Sequence, residues 1–155
     1  MFDYSKIEEI IKNYLEEEDE DIQDNFRGGA SEEQLLEVEK ILNINLPDSY
    51  RWFLKKYGSG GIAGININGI EAKQNVLYDC TLVYATNYYH EKFQVDKKYI
   101  VIEVCGDYIM CLDTSENNNK EYPVIMYTTH GEVDISRKKE NFYDYFLDKL
   151  LYMTE

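Results

Sequence analysis

Proline, tryptophan and histidine are scarce in this chain of 155 residues, which has two Pro, one Trp and only His90 and His130. Neither histidine stands at a spacing that makes a zinc site with a second His or Cys, so metal chemistry is not expected. Three cysteines, Cys80, Cys105 and Cys111, form an odd set without CxxC spacing. That excludes a disulfide scaffold and leaves free thiols acting as small buried hydrophobes, although Cys105 and Cys111 flank an expected hairpin turn. Basic residues are also few: 16 Lys and Arg face 30 Asp and Glu, for a net charge of −14. Such a chain repels nucleic acid and acidic membrane surfaces, so neither is an expected partner. No segment approaches the roughly 18 consecutive apolar residues of a membrane span. The opening MFDYSKIEEI lacks a basic flank followed by an apolar stretch, and a cytoplasmic protein is expected.

What is present is enough to fold. The chain is 44% hydrophobic and 14% aromatic, with 15 Tyr, too rich in core-forming residues for disorder despite its charge. A single domain over 1–155 is expected. Ile7, Ile10, Ile11, Tyr14 and Leu15 fall on one helical face of Ser5 to Glu18, with Ser5 and Glu8 placed as a capping box. Ser31 and Gln34 repeat that arrangement before Leu35, Val38, Ile41 and Leu42. Pro47 suits the first turn of a third helix whose Tyr50, Phe53, Leu54 and Tyr57 share a face, with Gly58 as its stop.

After Gly61 the period changes to two. Ile65 and Ile67 alternate with polar residues and are expected in the sheet, and Asn68-Gly69 reads as a hairpin turn. Tyr78 to Phe93 is ambiguous between strand and helix. Strands are expected at Tyr99 to Val104, Tyr108 to Asp113, Pro123 to Thr128 and, briefly, Val133 to Ile135, with a C-terminal helix marked by Phe142, Tyr145, Phe146 and Leu150. Strands so close in sequence pair antiparallel, and the fold class is α+β: a mainly antiparallel sheet flanked by N-terminal helices and a C-terminal helix.

Several motifs fail on inspection. The G-x-G-x-x-A match from Gly58 to Ala63 follows a helix and opens a strand, the reverse of the order that holds a pyrophosphate, and reads as a flexible connection. Asp113, Ser115, Asn117 and Asn119 alternate like calcium ligands, but the sixth and twelfth loop positions are Asn118 and Val124 instead of Gly and Glu. No nucleophile signature surrounds any cysteine. The expectation is a protein without catalytic residues, bound metal or cofactor.

One feature stands apart. EEEDEDIQD carries seven carboxylates in nine residues: Glu16, Glu17, Glu18, Asp19, Glu20, Asp21 and Asp24. Blocks of like charge are usually solvated faces. This one is concentrated at one end, since residues 1–40 hold 14 Asp and Glu against four Lys and Arg, a net of −10, and the other 115 residues a net of −4. A one-sided field of this sign steers a basic partner. Trp52, pointing away from the apolar face of its helix, is an aromatic anchor or a second packed face, and Tyr88 and Tyr89 are read the same way.

Gly28-Gly29-Ala30-Ser31, Leu35, Glu39, Leu46-Pro47, Tyr50, Phe53-Leu54 and Tyr57-Gly58 resemble the N-terminal signature of the SUKH superfamily. Tyr99 to Ile102, Gly106-Asp107-Tyr108 and Leu112-Asp113 are similar to its central hairpin, and Phe142 to Leu150 to its terminal helix. The resemblance covers about 28–150, with 1–27 as an acidic N-terminal helix and linker. It implies that Thr81 to Phe93 is helical and that the protein is not an enzyme. Bacterial members of this superfamily are mostly immunity proteins that neutralise a cognate toxin, often a nuclease, and some fungal members are regulatory scaffolds in cell-wall synthesis. The expected function is toxin binding that occludes an active site or substrate groove, with a regulatory scaffold or adaptor as the alternative. Candidate binding residues are the seven carboxylates, Trp52 and, on the hairpin, Asp107. Cys105 stands where the family often has Gly, and the loop after Asp113 is longer and richer in Asn than the family pattern.

Overall fold

The computed structural model describes residues 2–73, 75–76 and 80–155. The helices are α1 (Ser5–Glu17), α2 (Ile22–Asn25), α3 (Glu32–Leu42), α4 (Asp48–Lys56), α5 (Thr81–Lys92) and α6 (Phe142–Thr154), and the strands are β1 (Tyr99–Val104), β2 (Tyr108–Asp113), β3 (Val124–Thr128) and β4 (Val133–Lys139). The strands form one antiparallel sheet in the order β1-β2-β3-β4. This is the α+β architecture that the periodicities predict. The ambiguous stretch is helical from Thr81, while Tyr78, where that reading began, lies outside the described residues.

Alternation along the strands divides the interior in two. Ile100, Ile102, Met110, Leu112, Val124 and Met126 face the main core with α1, α3, α4 and α6. Val101, Ile109, Cys111 and Ile125 point the other way, into a smaller cluster closed by Ala85 of α5 with Val95 and Tyr99. Cys105 packs against the first core and Cys111 lies in the second, so the two thiols that flank the hairpin sit on opposite faces and remain unpaired.

Side-chain acceptors mark where α1, α3 and α4 begin. At α3 the capping box is complete, with Gln34 N–H donating to Ser31 Oγ and Ser31 N–H to Gln34 Oε1. At α1 the expected box is replaced: Ser5 is already helical, and the Asp3 carboxylate accepts from both its N–H and its hydroxyl. Asp3 is closer in sequence to the orphan amide than a side chain returning from Glu8, and it takes the acceptor role. Helix α4 follows Pro47, which has no side-chain acceptor. Glu121 supplies one from 72 residues away, accepting from Ser49 N–H at 2.8 Å and Ser49 Oγ at 2.6 Å.

Burial pushes the Glu121 carboxyl above its ordinary value of 4.5, the two Ser49 bonds pull it back, and the charges of Asp48 and Asp144 push it up again. A raised carboxyl pKa means that the folded chain holds this proton more tightly than the unfolded one. Its contribution to stability is therefore present below about pH 4.5 and lost as pH rises through the folded value. Glu121→Gln removes that titration while keeping an oxygen acceptor for Ser49. In urea unfolding from about pH 4 to 7, the difference in stability should move in the variant's favour as pH rises. A pH-independent difference would show that Glu121 carries no such linkage.

Four expectations need correction. Asn68-Gly69 is not a hairpin turn: Asn68 N–H donates to Ile102 O at 2.7 Å and its amide Nδ2 to Val101 O at 3.1 Å. Ile65 is outside the sheet, and Ile67 joins only through isolated bridges to Gly60 and Glu103. The segment runs along the free edge of β1, which Thr86 Oγ1 also helps close by accepting from Val101 N–H at 3.0 Å. Pairing with an existing edge satisfies its backbone without a second strand of its own. The Gly58 to Ala63 connection, read as flexible, is packed. Gly58 has φ +80, and a Cβ there would lie 1.9 Å from Gly28 O, so the backbones approach where only glycine fits. Finally, β4 extends to Lys139, with an irregular register against β3 between Val124 and Met126.

Candidate partner-binding surface

Helix α1 buries Ile7, Ile11 and Leu15 and leaves its opposite side to solvent. Its end carries the acidic run. Glu16, Glu17, Glu18, Asp19, Glu20, Asp21 and Asp24 are all exposed, and among the described residues none of the seven forms an ion pair. Glu16 and Glu17 stand in the last turn of α1, where no basic residue accompanies them. Carboxylates there oppose the helix dipole, each at a cost of about 0.3–1 kcal/mol when exposed. Asp19 turns the chain at φ 52, in the left-handed region. The run thus weakens the helix that bears it.

The turn leads into α2, whose Ile22 is 49% exposed. Between α1, α2 and the end of α4 lies an open groove of about 850 Å³. Ile11, Leu15, Ile22 and Tyr57 give it an apolar lining, Glu8, Glu9, Glu16, Asp19 and Glu20 supply its acidic part, and among the described residues Lys12 and Lys56 are its only bases. Lys56 is engaged with Glu8 at 3.6 Å. Burial, with the Glu8 charge, holds the Tyr57 hydroxyl well above the ordinary tyrosine range, so it remains a neutral donor.

The structure therefore brings Glu16, Asp19 and Glu20 to the groove, with Glu17, Glu18, Asp21 and Asp24 exposed beside it in the chain. Glu8 and Glu9 join them without belonging to the run. Helical spacing carries that signal, since Glu9 and Glu16 are seven residues apart. Ile22, an apolar residue inside an acidic block, was the other readable sign.

Trp52 lies on α4, half-buried, its ring stacked on Tyr4 at 4.3 Å and edge-on to Tyr57 at 5.8 Å. Tyr57 lines the acidic groove, while Tyr4 lines a second groove of about 440 Å³ that also contains Asp48, Glu121 and Glu140. Burial, together with the Glu121 and Asp48 charges, pushes Tyr4 up to about 12. Asp107 is exposed in the β1–β2 turn, where its carbonyl accepts from Thr129 N–H at 3.1 Å and ties the two hairpin ends together. It lines neither of these grooves.

Elsewhere the polar groups serve the fold. Glu103, buried in β1 at a register irregularity, accepts from Lys149 Nζ at 2.7 Å, Tyr145 OH and Asn66 N–H. Burial pushes the thiol of Cys80 up to about 11, which removes it as a nucleophile at neutral pH. Among the described residues no three His, Cys, Asp or Glu are placed to hold one metal ion, and no helix is long and apolar enough to cross a membrane.

An α+β domain with a single antiparallel meander, helices on both faces and an acidic groove at its N-terminal end is the class of protein that these features define. Residues 7–151 match the SUKH_5 family, described as SMI1-KNR4 cell-wall, and the chain belongs to that family. Among solved structures it is similar to a crystal structure of a protein from Pseudomonas syringae pv. tomato, with a TM-score of 0.62 and 18% identity over 88% of this chain and 92% of that one. That likeness is one of fold.

Proposed function

We propose that this SUKH-domain protein is an immunity protein that neutralises a cognate basic toxin, a nuclease, by stoichiometric occlusion of its active site or substrate groove. The observation that carries the reading is the unpaired acidic run beside an apolar-lined groove, placed where it opposes the dipole of its own helix. A nuclease holds a phosphate backbone with Lys and Arg. The same cations meet the carboxylates of this groove, while the exposed Ile22 supplies apolar contact beside them. No bond is made or broken, and inhibition follows from steric exclusion and charge.

Co-expression with the toxin encoded beside its gene should yield a one-to-one complex on size exclusion and abolish the toxin's nuclease activity. Active toxin in the presence of excess protein would overturn the reading. A stable complex with a partner that has no toxic activity would favour a regulatory adaptor instead.

A further inference from the structure

Between the C-terminal half of α6 and strands β2, β3 and β4 lies a groove of about 600 Å³, within the range of roughly 300–1,000 Å³ that small-molecule sites occupy. Three of the chain's four methionines, Met110, Met126 and Met153, line it. Methionine is unbranched and polarisable, so a lining rich in it re-packs around an apolar guest. Tyr152 adds a ring face that is 79% exposed and belongs to neither core. The wall is held in place from below: Lys149 Nζ and Tyr145 OH, both on α6, donate to the buried Glu103 of β1 and fix the helix against the sheet.

No residue of this groove lines the acidic groove beside α1, and its charge has the other sign. Arg137, Lys139 and Lys149 stand against Asp148, a lining of net +2 in a chain of net −14. Two of the three cations are engaged, Lys139 with Asp148 at 2.6 Å and Lys149 with Glu103 at 2.7 Å. Arg137 is exposed and, among the described residues, forms no ion pair. Asp134 feels its charge, but the Oδ1 of Asp134 is taken by Ser136, through N–H at 3.0 Å and Oγ at 2.6 Å.

One guanidinium thus stays uncompensated beside an apolar lining. Its five N–H donors form a planar fork that matches a carboxylate or a phosphate. An uncharged guest leaves that fork unused, and a cation is repelled by it. A bare anion gains nothing from the methionines and is repelled by the rest of the chain. We infer that this groove binds a small amphipathic anion, one carboxylate or phosphate head on an apolar body, with the head on Arg137 and the body on Met110, Met126, Met153 and Tyr152. The site is independent of the acidic groove and of what that groove binds.

Methyl NMR of the full chain, labelled at the methionine methyl carbons, tests this directly, because three of its four signals come from the lining. Decanoate and decyl phosphate are the probes, with decanol as the uncharged body and decyltrimethylammonium as the cationic one. Titration to about 1 mM of either anion should shift the Met110, Met126 and Met153 methyls saturably, and the tighter of the two names the head group. Decanol should bind at least about tenfold more weakly than that anion, and decyltrimethylammonium more weakly still. Arg137→Gln, at an exposed position, should keep the parent's melting temperature and decanol affinity and lose about tenfold for the anion. Arg137→Lys, which keeps the charge without the fork, should fall between. Methyls that move with neither anion overturn the inference. So does decanol binding as tightly as both anions, which would leave an apolar groove only, and so does an Arg137→Gln variant that binds the anions like the parent.

Discussion

Replacing Phe53 by Ala should cost about 3–5 kcal/mol of folding free energy, the largest single-residue effect expected here. Phe53 is fully buried at the meeting point of α4 and α6, with ring centroids of Phe146 at 5.2 Å, Phe142 at 5.6 Å, Tyr57 at 5.7 Å and Tyr50 at 6.2 Å. Those neighbours are large, ringed and held by their own contacts: Tyr50, for example, donates its hydroxyl to Asn68 O at 2.5 Å. They close poorly over a void, so the cavity term adds to the lost transfer energy. For a domain of this size the melting temperature should fall by about 10 °C or more. Urea unfolding with an unchanged m-value would assign the loss to the folded state. A loss below about 1 kcal/mol would contradict the packing of this core.

Phe53 also shows what was legible. The i, i+3, i+4, i+7 positions Tyr50, Phe53, Leu54 and Tyr57 all proved buried, because an amphipathic helix writes its orientation into its own period. Strands β1 and β2 were equally readable at Tyr99 to Val104 and Tyr108 to Asp113, since each buries both faces and shows an apolar run. Local signals misled where a distant partner took the polar group. Asn68-Gly69 has the chemistry of a tight turn, yet Asn68 bonds to β1, 33 residues away. Helix α4 has no cap that can be read near Pro47, because its cap is Glu121.

The candidate surface was half legible. The run announced itself by composition, and Glu16, Asp19 and Glu20 do line a groove. The groove itself arises only when α2 folds back and α4 brings Tyr57 and Lys56 alongside, which no local pattern encodes. Trp52 stood out as the sole tryptophan, but its stacking on Tyr4 depends on where the N-terminal segment lies. Tyr88 and Tyr89 stood out as well, but Tyr-rich sequence fits strand as well as helix, so the face each takes was not legible.

Neutralising the run is the second large effect expected. E16Q/E17Q/E18Q/E20Q removes four charges and keeps the side-chain shapes. All four residues are exposed, and Glu16 and Glu17 oppose the α1 dipole, so stability should hold or rise slightly. Exposed charges act over a screening length of about 8 Å at physiological salt. They contribute to encounter more than to the docked state, so association should slow by roughly tenfold or more while dissociation changes little.

Stopped-flow association with the cognate toxin, parent against this variant, at low and physiological salt, is the most direct test of the central claim. If the acidic groove captures a basic toxin, the parent binds fast and loses speed steeply with salt, and the variant binds slowly with a flattened salt dependence. Equal association rates at low salt would contradict the account and reduce the run to a solvated linker.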